Sequence, residues 1–219
     1  MSNFFNMDNP FFTTLSKICD ILFISVVYVL LCIPIITFGP ASTALYYSTV
    51  KVIRKERGYL YREFFKSFRM NFKRGAITGV IFVILFVVLI YDLLYAWQMV
   101  GVDYNKGSIF LGIFIAFSLL VLSFSIYAFP ILSRFEMTVK QLIKASIFMS
   151  MRYFHFTILM DAIMVASIVA FLFMPMLLFI LPGAATFLIS LMMERIFKKY
   201  MPKPEGTGEE TGKDEWYLD

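Results

Sequence analysis

Residues 75–91, 107–133 and 162–193 of this chain carry no charged side chain. A helix that crosses a bilayer needs about 20 predominantly apolar residues. In hydrocarbon the backbone must satisfy its own hydrogen bonds, so runs of this kind are predicted to be helices. The alternating strands of roughly ten residues that build a membrane barrel are absent. The fold class read from the pattern is all-α, a polytopic membrane protein.

A further apolar run, residues 21–36, is broken by Pro34 and then by Gly39-Pro40. Proline lacks an N–H and biases the residue before it away from the α region, so a turn or kink is predicted there. The pattern recurs near the C-terminus, where Pro175 and Pro182-Gly183 interrupt residues 173–199. After each second proline, Ala41-Ser42-Thr43-Ala44-Leu45 matches Ala184-Ala185-Thr186-Phe187-Leu188, and Ile53 and Lys55 match Ile196 and Lys198. Ahead of the first run, Asn9 or Thr13 is expected to cap the opening helix, with Pro10 in its first turn.

Between the apolar runs lie two basic segments. Residues 51–74 hold nine Lys/Arg and two Glu. Short loops this basic stay cytoplasmic. Within them Tyr61, Phe64, Phe65, Phe68 and Phe72 are predicted on one helical face, with Arg62, Lys66, Arg69 and Lys73 opposite. That is the pattern of an amphipathic helix near residues 60–73, lying where basic heads meet anionic lipid. A docking surface for a cytoplasmic partner is the alternative. A weaker version spans residues 139–151, with Lys144 and Arg152 in the places of Lys66 and Arg74.

These elements predict three helical hairpins and six transmembrane helices, with both termini in the cytoplasm. Five is the alternative count, because residues 36–53 are short and polar for a lipid-facing helix. Residues 1–200 read as one transmembrane domain and residues 201–219 as a disordered cytoplasmic tail, being proline-, glycine- and charge-rich. No signal peptide is read at the N-terminus, which lacks a basic n-region.

Composition agrees. Hydrophobic residues make up 60% and charged residues 16%, against about 25% charged in soluble domains. The net charge of +5 comes from inner-face residues, so it argues for membrane orientation and anionic headgroups and not for nucleic acid. Cys19, Cys32 and the single His155 carry no metal spacing, and the cysteines read as small buried hydrophobes. No cofactor is expected.

Asp161 is the most informative single residue. It stands about eight residues into a span, and a carboxylate at that depth costs about 2.5–3.5 kcal/mol on insertion scales. It reads either as a substrate or proton site, or as a structural carboxyl bonded to Thr157 one turn earlier. If the repeated breaks mark a transport path, Thr37, Gly39, Thr186 and Asp161 are its candidate lining. Gly75 and Gly79 form a small-xxx-small pair suited to close helix approach.

Asn9-Pro10-Phe11-Phe12, then residues 33–41 (IPIITFGPA), then Thr43-Ala44-Leu45-Tyr46-Tyr47 resemble the YesL-like family of bacterial integral membrane proteins. Gly58-Tyr59 and residues 64–73 (FFKSFRMNFK) resemble that family's next block. The resemblance covers residues 9–199 and supplies no catalytic residues. It implies a cytoplasmic-membrane protein tied to carbohydrate uptake or use. The expectation is a non-catalytic accessory protein, with a membrane transporter complex as partner. A small-solute transporter or channel is the alternative.

Overall fold

The computed structural model describes residues 10–200, and among these the chain is helical with no strand. The helices are α1 (Pro10–Leu31), α2 (Phe38–Ser48), α3 (Leu60–Met70), α4 (Phe72–Val102), α5 (Tyr104–Arg134), α6 (Val139–Arg152), α7 (Phe154–Phe173) and α8 (Leu181–Phe197). The expected cap at Asn9 and the tail at residues 201–219 lie outside the described residues.

Both proline breaks fall where the pattern places them. A 3-10 turn, Ile35–Thr37, separates α1 from α2, and another, Pro175–Phe179, separates α7 from α8. Among the described residues four helices are long and apolar enough to cross a membrane: α1 over Thr14–Leu31, α4, α5 and α7. With 11 and 17 residues, α2 and α8 fall outside that set. Two of the four, α4 and α5, carry much of the exposed apolar surface. Ile84, Val87 and Ile90 on α4 and Ile109 and Phe117 on α5 are exposed apolar side chains.

The shortness and polarity of α2 follow from its place. It packs against α1, α3, α4, α5 and α8, and Gly39, Pro40, Ala41, Thr43, Ala44, Leu45, Tyr46 and Ser48 are buried. A helix enclosed by protein needs small residues more than lipid-soluble ones. Its hydroxyls bond back to the preceding turn, Thr43 to the Gly39 carbonyl at 3.0 Å and Ser48 to the Ala44 carbonyl at 2.7 Å, which satisfies them locally. Beyond Ser48 the helix widens into a π-helical stretch, Thr49–Arg54.

The pair Gly75 and Gly79 meets its partner in Gly39. A Cβ on Gly39 would stand 1.9 Å from the Gly75 carbonyl oxygen, and one on Gly79 would stand 2.7 Å from the Gly39 nitrogen. The start of α2 and the first turns of α4 therefore touch backbone to backbone. At the other break, Gly183 sits against α1. Its N–H donates to the Ser25 hydroxyl at 2.9 Å, and Ser25 donates to the Ile21 carbonyl at 2.7 Å.

Two amphipathic helices stand near the expected positions. The face that α3 buries comprises Glu63, Phe64 and Ser67, so Phe64 belongs to a core with Ile24, Leu45 and Ile53, while Tyr61 and Phe72 stay exposed. The predicted aromatic face is thus divided between protein core and surface. Lys73 falls in α4, because the chain breaks at Asn71. A capping box opens α6, with the Thr138 N–H donating to Gln141 Oε1 at 3.0 Å. Cys19 is exposed and Cys32 half-buried, unlike the buried reading of both.

Candidate functional site

Three polar features lie inside the helical body. The first joins α2, α5 and α8. Glu194 Oε1 accepts from Arg134 Nη2 at 2.7 Å and from the Tyr46 hydroxyl at 2.8 Å. The Arg134 side chain is 1% exposed. Nearby, Arg54 Nη1 donates to the Ser190 carbonyl at 2.7 Å, tying the π-helical stretch to α8. The sequence pattern places Arg54 only within the basic segment 51–74 and singles out neither Arg134 nor Glu194. The available signal was Glu194 itself, an acid directly after a 32-residue uncharged run, residues 162–193.

The second is the Lys51–Glu63 ion pair, 2.9 Å long and nearly buried, between the π-helical stretch and α3. Lys51 also donates to the Tyr47 hydroxyl at 3.2 Å. Burial works against the ammonium, but the hydrogen bonds to Glu63 and Tyr47 outweigh it, and the Lys51 pKa stands above the ordinary lysine value. The wider π turn is what aims Lys51 at α3 and Arg54 at α8.

Asp161 is the third. Its Oδ2 lies 2.5 Å from the Ser123 hydroxyl of α5, which also lies 2.9 Å from the Leu119 carbonyl. The single Ser123 proton thus sits between two acceptors. Asp161 Oδ1 is buried with no partner among the described residues. Thr157, the expected neighbour, bonds instead to the Tyr127 hydroxyl at 2.9 Å. Asp161 therefore links α7 to α5 and does not bond to its own helix.

A cavity of about 310 Å³ lies between α1, α2, α5, α7 and α8. Its walls are Phe38, Leu45, Ile126, Phe129, Met164, Ile168 and other apolar residues, with hydroxyls from Tyr28, Ser42, Tyr46, Ser125, Ser167 and Thr186. Among the described residues no charged side chain lines it. Of the four residues predicted to line a transport path, Thr186 stands in the wall of this cavity, and Asp161, Thr37 and Gly39 stand outside it. Thr37 closes the α1–α2 turn through the Leu31 and Pro34 carbonyls, and Gly39 is the close-packing position described above. Arg62, Lys66 and Arg69 are exposed on α3, and Lys73 is exposed on α4.

Residues 18–93, from α1 into α4, match a family described as DUF624, a protein family of unknown function. No curated protein and no solved structure matches the chain.

Proposed function

We propose that this chain is a YesL-like protein of the cytoplasmic membrane that acts as a non-catalytic accessory to a transporter complex, linked to carbohydrate uptake or use. The observation that carries this reading is the separation of Asp161 from the cavity. Among the described residues no charge lines the cavity, Asp161 is held to α5 by the Ser123 hydroxyl at its Oδ2, and the basic residues Arg62, Lys66, Arg69 and Lys73 are presented outward. The carbohydrate link rests on the family resemblance alone. A small-solute transporter is the second reading, favoured by the cavity and by Thr186 in its wall.

The topology that suits these contacts has three hairpins, α1–α2, α4–α5 and α7–α8, with both termini inside. In this reading the first hairpin enters from the cytoplasmic side and does not traverse the bilayer. Its support is the packing of Gly39 on Gly75, next to Arg74 at the basic end of α4. Lys17 also pairs with Glu56 at 2.8 Å, and Tyr28 with Ser42 at 3.1 Å, so α2 runs back along α1. A single cysteine at Ile35 should then resist a charged thiol reagent applied outside intact cells, while one at Asp103 reacts. Labelling at Ile35 would restore the six-span arrangement.

The functional reading is tested by purifying the tagged full chain in mild detergent and identifying what accompanies it. A stoichiometric permease or binding subunit of a carbohydrate uptake system is the expected result. A lone monomer that moves labelled saccharide into proteoliposomes would replace the accessory reading with the transporter.

A further inference from the structure

We infer that the cavity between α1, α2, α5, α7 and α8 holds one hydrocarbon chain of a membrane lipid. Most of its polar groups are already engaged. Tyr28 bonds to Ser42 at 3.1 Å, and Ser42 to the Phe38 carbonyl at 2.8 Å. Tyr46 bonds to Glu194 at 2.8 Å, Ser125 to the Leu122 carbonyl at 2.8 Å and Ser167 to the Ile163 carbonyl at 2.8 Å. Thr186 is the one lining hydroxyl with no protein partner among the described residues. A sugar placed here would leave most of its hydroxyls without partners, each at a desolvation cost of about 1–3 kcal/mol. An ion would meet no opposite charge.

An empty space of this size is also unfavourable, because its walls forfeit dispersion contacts that a close-packed interior supplies. Water does not fill the deficit, since apolar cavities stay dry without two to four polar partners per molecule. A hydrocarbon chain restores the contacts and asks for no hydrogen bond. It has a way in from the lipid: Ile168 and Phe171 line the cavity yet are 49% and 36% exposed, on the outward side of α7. The pocket wall is thus continuous with the surface that meets hydrocarbon.

The test uses the full chain in vesicles that contain a phospholipid with a photoreactive diazirine in one acyl chain, followed by mapping of the adducts. Adducts are expected on Met164, Leu178 or Ile189 inside the cavity, as well as on outward α4 residues such as Ile84. In Ser167→Phe, which fills the space, the cavity adducts should be lost and those at Ile84 kept. Adducts confined to the outer face in the parent protein, or cavity adducts unchanged in Ser167→Phe, would overturn the inference. A second arm does not depend on that variant folding. With Cys19 and Cys32 replaced by serine, Thr186→Cys should react with an apolar maleimide and resist a charged thiosulfonate. Reaction with the charged reagent means a water-filled cavity and also defeats the inference. Neither arm depends on a protein partner, so a failure here leaves the accessory reading to its own test.

Discussion

Gly39 and Gly79 touch through their backbones: a Cβ on Gly79 would stand 2.8 Å from the Gly39 Cα. Overfilling a tight contact costs about 1–3 kcal/mol and more when backbone must move. Gly39→Ala, whose new atom would fall 1.9 Å from the Gly75 oxygen, should be the most damaging, with Gly79→Ala next. Gly112→Ala is the control. Nothing lies within 4 Å of its Cβ position, and the gain in helix propensity is up to about 1 kcal/mol. Thermal unfolding in detergent should rank the three in that order, and equal midpoints would show that the seam is not a close contact.

The Arg134–Glu194 pair predicts a non-additive series. Arg134→Met leaves a buried carboxylate uncompensated and should cost about 3–5 kcal/mol, as should Glu194→Leu. The double variant should recover much of that loss. Tyr46→Phe keeps the pair and removes one bond to a charged group, at about 1.5–3 kcal/mol. Denaturant unfolding of the parent, the two single variants and the double variant gives the coupling directly, and simple additivity would mean that the pair is not formed.

Lys51 carries a pH signature. Its folded pKa is raised above the unfolded value of about 10.4. The ion pair with Glu63 therefore contributes fully below that value and is lost as pH rises through the folded pKa. Above the unfolded value of about 10.4 the parent protein should lose more stability than Lys51→Gln. Parallel curves for the two would remove Lys51 as the cause.

Asp161 ties α7 to α5 through Ser123. Asp161→Asn keeps a group for Ser123 to bond and removes a charge worth about 2.5–3.5 kcal/mol at that depth. It should leave stability equal or higher and leave the complex with any partner intact. Ser123→Ala should destabilise by about 1 kcal/mol. A stable Asp161→Asn protein that has lost activity in cells would mark Asp161 as functional.

The exposed cations Arg62, Lys66, Arg69 and Lys73 should report on lipid charge. Each basic side chain near an anionic surface contributes about 1 kcal/mol. Moving the parent protein from zwitterionic to anionic lipid should raise its unfolding temperature, and replacing all four with glutamine should abolish most of that rise. A rise that survives the replacement assigns the lipid contact elsewhere.

Long apolar runs made α4, α5 and α7 legible, because hydrocarbon permits little but helices there. The prolines placed both breaks to within a few residues for the same kind of reason, a missing N–H. Periodicity showed which faces of α3 are aromatic or basic. It could not show that Phe64 is taken by α1 and α2 while Tyr61 is left outside, since lipid and protein interior select the same residue types. For Asp161 the local neighbour Thr157 was the natural guess, yet Ser123 on another helix holds it. The Arg134–Glu194 pair joins residues 60 positions apart, and nothing in a one-dimensional pattern couples such charges. The π turn that directs Lys51 and Arg54 to different helices leaves no mark in hydrophobic spacing.

The dependence of α2 on α8 sets an order for biosynthesis. Tyr46 waits for Glu194, Arg54 for Ser190 and Ser25 for Gly183, so groups in the first third of the chain find their partners only when α8 leaves the ribosome. Until then α1, α3, α4 and α5 can cover α2, but the side that α8 closes stays open. A nascent chain halted before residue 181 should remain bound to the insertion machinery, and one released after residue 197 should let go.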